Sequence, residues 1–245
     1  MSSTKTLAFD IIGKIRDAKS FIGIANILRD HGSTFGYEAF SLGSVPQSSK
    51  QTMPDCVVIS GWPPEWEGHY HARGHIRFDP VLRYMRRVID PFHWREAADF
   101  VATPAARTVL DEAREFRLND GFCVPIHRPD GSEAGVSFGG EQMRLSPDES
   151  AALHLIGIYA VSAARAISRA QAEPLGPARP GVRLTDRETE CLRWSAAGKT
   201  AWETSVILSI SRRTVEQHLA SACQKLNAVG RVQGVAEAIR CGLID

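Results

Sequence analysis

Leu184-Thr185-Asp186-Arg187-Glu188, then the Gly198-Lys199-Thr200 turn, then Ser211-Arg212-Arg213-Thr214-Val215-Glu216-Gln217-His218: this stretch decides how the 245-residue chain is read. Thr185 stands where a helix begins. Glu188 follows three residues on, the spacing of a capping box. Cys191, Leu192 and Ser195 continue that helix to a stop at Gly198. A second helix is predicted from near Thr200, with Val206, Ile207 and Leu208 turned inward. Ser211 caps a third, on which Val215, Leu219, Ala222, Cys223 and Leu226 form the buried stripe. Arg213, Glu216, Gln217, Ala220 and Gln224 fall on its opposite face. A fourth helix is expected around Val232 to Arg240, ending at Gly242.

A third helix with small and polar side chains on its free face suits a DNA major groove. Gln217 would pair with adenine and Glu216 would accept from cytosine N4, with Thr214 and Ala220 beside them. Lys199, Thr200, Arg212 and Arg213 are placed for phosphates. Helix count alone fits equally a small bundle with no nucleic-acid partner. The string itself is more specific. It resembles the LuxR-type four-helix DNA-binding domain in Leu184-Thr185-x-Arg187-Glu188, Glu190-x-Leu192, Gly198-Lys199-Thr200, Thr214-Val215-x-x-His218-Leu219, Lys225-Leu226 and Gly242-Leu243-Ile244. Glu216 departs from the pattern, because many members carry a basic residue there. That bears on base preference, not on fold.

Working outward, three prolines and two glycines in residues 172–181 mark a linker. Pro147 to Arg169 reads as a helix capped by Ser146, with apolar residues on more than one face, one for its own domain and one for a partner subunit. Further upstream, helices are predicted at 7–16, 19–31, 63–72, 81–88 and 104–117. Strands are predicted at 35–42 and 56–60, with a hairpin of 122–127 and 134–139 around Arg128-Pro129-Asp130-Gly131. Net charge is +1, and from Val182 onward nine basic residues face seven acidic ones, so charge does not announce DNA binding. No run approaches the ~18 apolar residues of a membrane span, and no signal peptide is evident. The five cysteines show no C-x-x-C spacing and read as buried free thiols in the cytoplasm.

A second string is Trp62-Pro63-Pro64-Glu65-Trp66-Glu67-Gly68-His69-Tyr70, followed by Asp79-Pro80 and Trp94. Trp66 and Tyr70 are i,i+4 and share a helix face, giving two donors, and Asp79 supplies an acceptor. That composition suits a small-molecule pocket. From spacing alone, ordinary core aromatics fit better. The string, however, resembles the autoinducer-binding domain of acyl-homoserine-lactone quorum-sensing regulators, with Trp66, Tyr70, Asp79, Pro80, Trp94 and Gly121 on signature positions. The resemblance implies an α-β-α sandwich that buries an N-acyl-homoserine lactone. In it, Trp66 donates to the lactone carbonyl and Asp79 accepts from the amide N–H. Tyr70 donates to the acyl carbonyl, helped by Ser137, and Trp94 packs on the lactone ring. Ser41, Ser44, Cys56, Trp62, Val81, Met85, Val109 and Ala113 would line the tail end. Bulky Trp62 and the two serines favour a short, branched or aromatic acyl group.

Other chemistry is weaker. His69, His71 and His75 suggest a metal, with His71 and His75 at i,i+4, but no cysteine or carboxylate completes a set. Gly135-x-Ser137-x-Gly139 mimics a nucleophile elbow, yet Ser137 falls mid-strand with no later triad partners. The expectation is therefore an α+β protein: residues 1–171 an autoinducer-binding and dimerisation domain, 172–183 a linker, and 184–245 an all-α helix-turn-helix domain. It would be a ligand-responsive transcription regulator without catalytic residues, metal or cofactor, a homodimer on an inverted-repeat operator in double-stranded DNA. A lactone-processing enzyme tethered to a DNA-binding domain is the alternative.

Overall fold

The computed structural model of the protein describes residues 4–46, 51–128, 132–171 and 183–244. Two compact units divide the chain and part near residue 172. The expected linker lies outside the described residues except for Arg183, as do Pro129, Asp130 and Gly131 of the expected hairpin turn.

The first unit opens with α1 (Thr4–Asp17), α2 (Phe21–Asp30) and α3 (Gly32–Phe35), then β1 (Ala39–Ser44), α4 (Met53–Cys56) and β2 (Val57–Ser60). α5 (Pro64–Arg73) leads through a 3-10 turn at His75–Arg77 to α6 (Pro80–Met85), β3 (Phe92–His93) and α7 (Trp94–Phe100). α8 (Pro104–Arg114), β4 (Asp120–His127), β5 (Glu133–Gly140) and α9 (Pro147–Gln171) complete it. Several predicted bounds shift. Phe35 ends a helix instead of opening a strand, and Gly36 at φ 74° turns the chain before β1 starts. Cys56 closes α4, whose first turn is held by Asp55 accepting from the Thr52 N–H at 2.8 Å. The helix expected at 81–88 stops at Met85, and that expected at 104–117 stops at Arg114. α7 was not predicted, because seven residues after a two-residue strand carry too little periodicity to register.

The five strands form one antiparallel sheet in the order β2-β1-β5-β4-β3, with helices on both faces as expected. Strand alternation assigns each face. Phe40, Leu42, Phe122, Val124, Val136 and Phe138 join Ile11, Ile15, Leu28, Leu153 and Ile156 in the main core under α1, α2 and α9. The intervening Ser41, Gly43, Gly135 and Ser137 face the other side, under α5 to α8. A bulge between Leu42 and Gly43 skips Val58, so that Ile59 stays in the core while Val57 turns to the opposite face. α9 is long and apolar enough to span a bilayer, a point the sequence reading missed. Its inner residues from Ala152 to Ile167 are instead built into the core. Leu155, Ile158 and Tyr159 remain exposed on its outer side.

The second unit is all helical: α10 (Asp186–Ala196), α11 (Ala201–Leu208), α12 (Arg212–Lys225) and α13 (Arg231–Arg240). The caps at Thr185 and Ser211 lie where predicted and Thr200 caps the helix expected to begin near it, each accepting from the backbone N–H three residues on. Val215, Leu219, Ala222, Cys223 and Leu226 are all buried. The inward face of α11 differs from the prediction. Thr204 and Ser205 are buried, with Ala201 and Leu208 packed on the core, while Val206 and Ile207 are exposed. Positions 201, 204, 205 and 208 make one helical stripe, and 206 and 207 lie off it. Cys241 is also exposed, so only four of the five thiols are buried.

Candidate functional site

The cavity of the first unit sits on the sheet face opposite the main core. Every residue expected to meet a ligand lines it: Ser41, Ser44, Trp62, Trp66, Tyr70, Asp79, Val81, Met85, Trp94 and Ser137, with Cys56, Val109 and Ala113. Its volume is about 80 Å³. That is room for several water molecules and well below the ~300–1,000 Å³ of typical ligand pockets. Ile76, Leu82, Leu110, Val45 and Met53 also line it. Sequence reading missed them, since an aliphatic side chain on a helix carries no mark of which cavity it will face.

Local structure explains the placement. Trp66 and Tyr70 occupy one face of α5, both buried, with ring centroids 5.5 Å apart. Trp62 closes on Tyr70 edge-on at 5.1 Å. Asp79 caps α6, its Oδ1 accepting from the Val81 N–H at 2.8 Å and the Leu82 N–H at 3.4 Å. Its Oδ2 accepts from the Tyr70 hydroxyl at 2.7 Å. Burial pushes the Asp79 carboxyl above its usual range, against the pull of the Tyr70 and backbone bonds. Burial, followed by the Asp79 charge, raises Tyr70 as well. Tyr70 therefore keeps its proton and donates it to Asp79.

Trp94 lies flat against the sheet because glycines leave it room. A Cβ on Gly121 would sit 2.1 Å from the indole, and one on Gly139 2.7 Å from it. The Trp94 N–H donates to Ser137 Oγ at 3.0 Å, and the Cys123 thiol donates to the same oxygen at 3.2 Å. Burial drives Cys123 up to about 12, so it stays a thiol. Ser137 thus accepts twice and keeps its own proton to give. It lies in mid-strand, paired with Ser41 and Cys123, and its hydrogen-bond partners among the described residues, Trp94 and Cys123, include no base of the kind a nucleophile needs. The indole N–H of Trp66 has no hydrogen-bond partner among the described residues, although the residue is only 3% exposed. Ser44 donates to the Cys56 carbonyl at 3.4 Å.

The histidine reading needs correction. His71 is exposed and stands apart. His75 lies beyond the end of α5, so the i,i+4 face does not exist. A carboxylate does complete a set: Glu112, from α8, accepts from both His69 and His75.

In the second unit, Arg213, Gln217 and Ala220 project from the exposed side of α12, and Arg213 and Gln217 have no polar partner among the described residues. Arg212 donates from Nε to Glu216 one turn on, at 2.8 Å. The phosphate-holding and base-reading roles expected of that pair therefore start from an ion pair. Thr214 and Thr200 spend their hydroxyls on caps, with Ser211 and Glu203. Lys199 pairs loosely with Glu203 at 3.8 Å. Behind α12, buried Glu188 accepts from the Thr185 N–H, the Ser221 hydroxyl and the Lys225 ammonium, each at 2.7 Å. Burial alone would raise its pKa. The three bonds outweigh burial and hold it at about 2.

Comparison with known proteins covers both units. The family described as "Autoinducer binding domain" matches residues 23–164. "Bacterial regulatory proteins, luxR family" matches residues 182–238. The chain is 40% identical over 221 residues to the transcriptional activator protein BjaR1 of Bradyrhizobium diazoefficiens, covering 90% of this chain and 88% of that one. It is 42% identical over 210 residues to the quorum sensing-dependent regulator RpaR of Rhodopseudomonas palustris, covering 85% and 83%. Among solved structures, SdiA in complex with octanoyl-rac-glycerol is similar in fold, with a TM-score of 0.66 at 22% identity over 99% of this chain and 97% of that one.

Proposed function

The chain belongs to the luxR family of autoinducer-binding transcription regulators, and we propose that it senses an N-acyl-homoserine lactone in the cavity over its sheet and binds an inverted-repeat operator as a homodimer. The observation that carries this is the Trp66 indole N–H: the residue is buried and lines the cavity, and its N–H has no hydrogen-bond partner among the described residues. That donor is open to the cavity and free to meet a ligand acceptor, and a lactone carbonyl supplies one.

Hydrogen-bond accounting supports the rest of the head group. Tyr70 has one proton, now given to Asp79 Oδ2. When the ligand enters, its amide N–H replaces the tyrosine as donor to Asp79. Tyr70 then turns its proton to the acyl carbonyl. Ser137, which already accepts from Trp94 and Cys123, adds its own. Each polar group on both sides ends with a partner, as a buried site requires. Trp94, pinned over Gly121, packs on the lactone ring.

Trp62, packed edge-on against Tyr70, narrows the cavity beside the head-group donors, while Ser41 and Ser44 line it with Val81, Met85 and Cys56. A short, branched or aromatic acyl group fits, with a polar substituent toward the serines. The lactone-processing alternative has no base beside Ser137 to support it, and the named relatives are regulators. The exposed Leu155, Ile158 and Tyr159 of α9 are the surface proposed to receive the second copy.

The test is a reporter dose-response panel of homoserine lactones that differ only in the acyl group. Highest potency is expected for short, branched or aromatic members. Highest potency for unbranched chains of about ten carbons or more would refute the tail assignment. No response to any lactone would refute the head.

A further inference from the structure

Outside the cavity, three ligand-type side chains meet at one point. His69 on α5 and His75 in the 3-10 turn both direct Nε2 to the same oxygen, Glu112 Oε2, at 2.5 and 2.7 Å. The three donor atoms lie within 4.8 Å of one another. Gly74, at φ 64°, ends α5 and swings the chain so that His75 returns beside His69. His75 is buried, while His69 and Glu112 are half-buried, so the cluster has a closed inner wall and a wet rim.

As it stands the arrangement uses its groups poorly. Both imidazoles spend an Nε2 proton on one oxygen, and neither Nδ1 has a partner among the described residues. A cation resolves this. It takes the two Nε2 lone pairs and the carboxylate, and each ring carries its proton on Nδ1 instead. Two imidazoles and a carboxylate, with one position left to water, is a donor set that suits Zn²⁺ and its first-row neighbours. Metal–ligand distances of about 2.1 Å in a tetrahedron need donor separations near 3.3 Å, an opening of under about 1 Å at the partly exposed His69 ring.

We propose that His69, His75 and Glu112 form a binding site for one first-row divalent cation, Zn²⁺ class, that ties α5 and the following turn to α8. Trp66 stacks on both histidine rings, with centroids 6.0 Å away in each case, so the metal stiffens the wall from which the cavity donor projects. The site is tested without any lactone, so its failure and that of the sensing role are separable.

Full-length protein stripped with a chelator is titrated with ZnCl₂ by calorimetry and with CoCl₂ by visible absorption. The expected result is one equivalent of metal per chain, intense d–d bands of four-coordinate Co²⁺, and a raised melting temperature. His69→Ala and Glu112→Gln, both at partly exposed positions, should each lose the bands and weaken Zn²⁺ binding by roughly 100-fold. His71→Ala should leave both unchanged. Should His75→Ala fail to fold, the other two variants still decide. Unchanged binding in His69→Ala, only the pale bands of six-coordinate Co²⁺, thiolate charge-transfer bands, or no stoichiometric uptake would each overturn the site.

Discussion

Asp79 serves two purposes, and its replacement by alanine removes both. It caps α6 and it is the acceptor of the cavity. Asp79→Ala is expected to reduce sensitivity to ligand by about ten- to a hundredfold, the value of a charge-assisted bond, while the second unit stays folded. A reporter dose-response unaltered in Asp79→Ala would remove it from the site. Glu188 sets a different pH behaviour. Its folded pKa of about 2 lies below the ordinary 4.5, so its contribution is complete above 4.5 and is lost as pH falls from there through 2. Linkage puts that contribution on the order of 3 kcal/mol. Urea titrations of the second unit should show stability falling across that window. Glu188→Gln should be less stable at neutral pH and should flatten the fall; an equally steep fall would place the acid sensitivity elsewhere. Glu188 was legible as a cap from Thr185 three residues before it. Its bonds to Ser221 and Lys225 were not, because sequences three dozen residues away show no register to α10.

At the scale of elements, local signals located helices better than they oriented them. The caps at Thr185, Thr200 and Ser211 were readable, since each is a contract between residues three apart. The inner face of α11 was not, because its buried positions are Thr204 and Ser205 and its large apolar residues are outside. Hydrophobicity is a guide only when burial follows it. The cavity was legible through the family string. The bond from Trp94 to Ser137 was not, since it depends on the register of β4 and β5. α12 was read correctly on both faces, and its exposed side carries the next prediction. Gln217→Ala should relax preference at one base position per half-site, at about 1–3 kcal/mol on the preferred base. Arg213→Ala should weaken all sequences alike and lower the salt slope. Binding-site selection measures both, and an unchanged motif with Gln217→Ala would mean that α12 meets DNA in another orientation.

For the whole molecule, the partition near residue 172 predicts that residues 184–245 fold alone and bind DNA weakly, because one reader covers half of a two-fold site. The full chain should bind an inverted repeat as a dimer. Ile158→Glu on the outer face of α9 should shift it toward monomer in analytical ultracentrifugation, with the first unit still folded. A dimer undisturbed by that charge would place the interface elsewhere.

The narrow cavity has a consequence in time. The cavity as described holds about 80 Å³, so a ligand of the proposed class would enter by parting its walls and would leave the same way. Association would then be slower than collision allows, and the same barrier would slow release. A cell using such a receptor averages its surroundings over the lifetime of the closed complex. A brief pulse of signal passes unregistered, while a sustained one persists as occupied receptor after the medium has been washed clean.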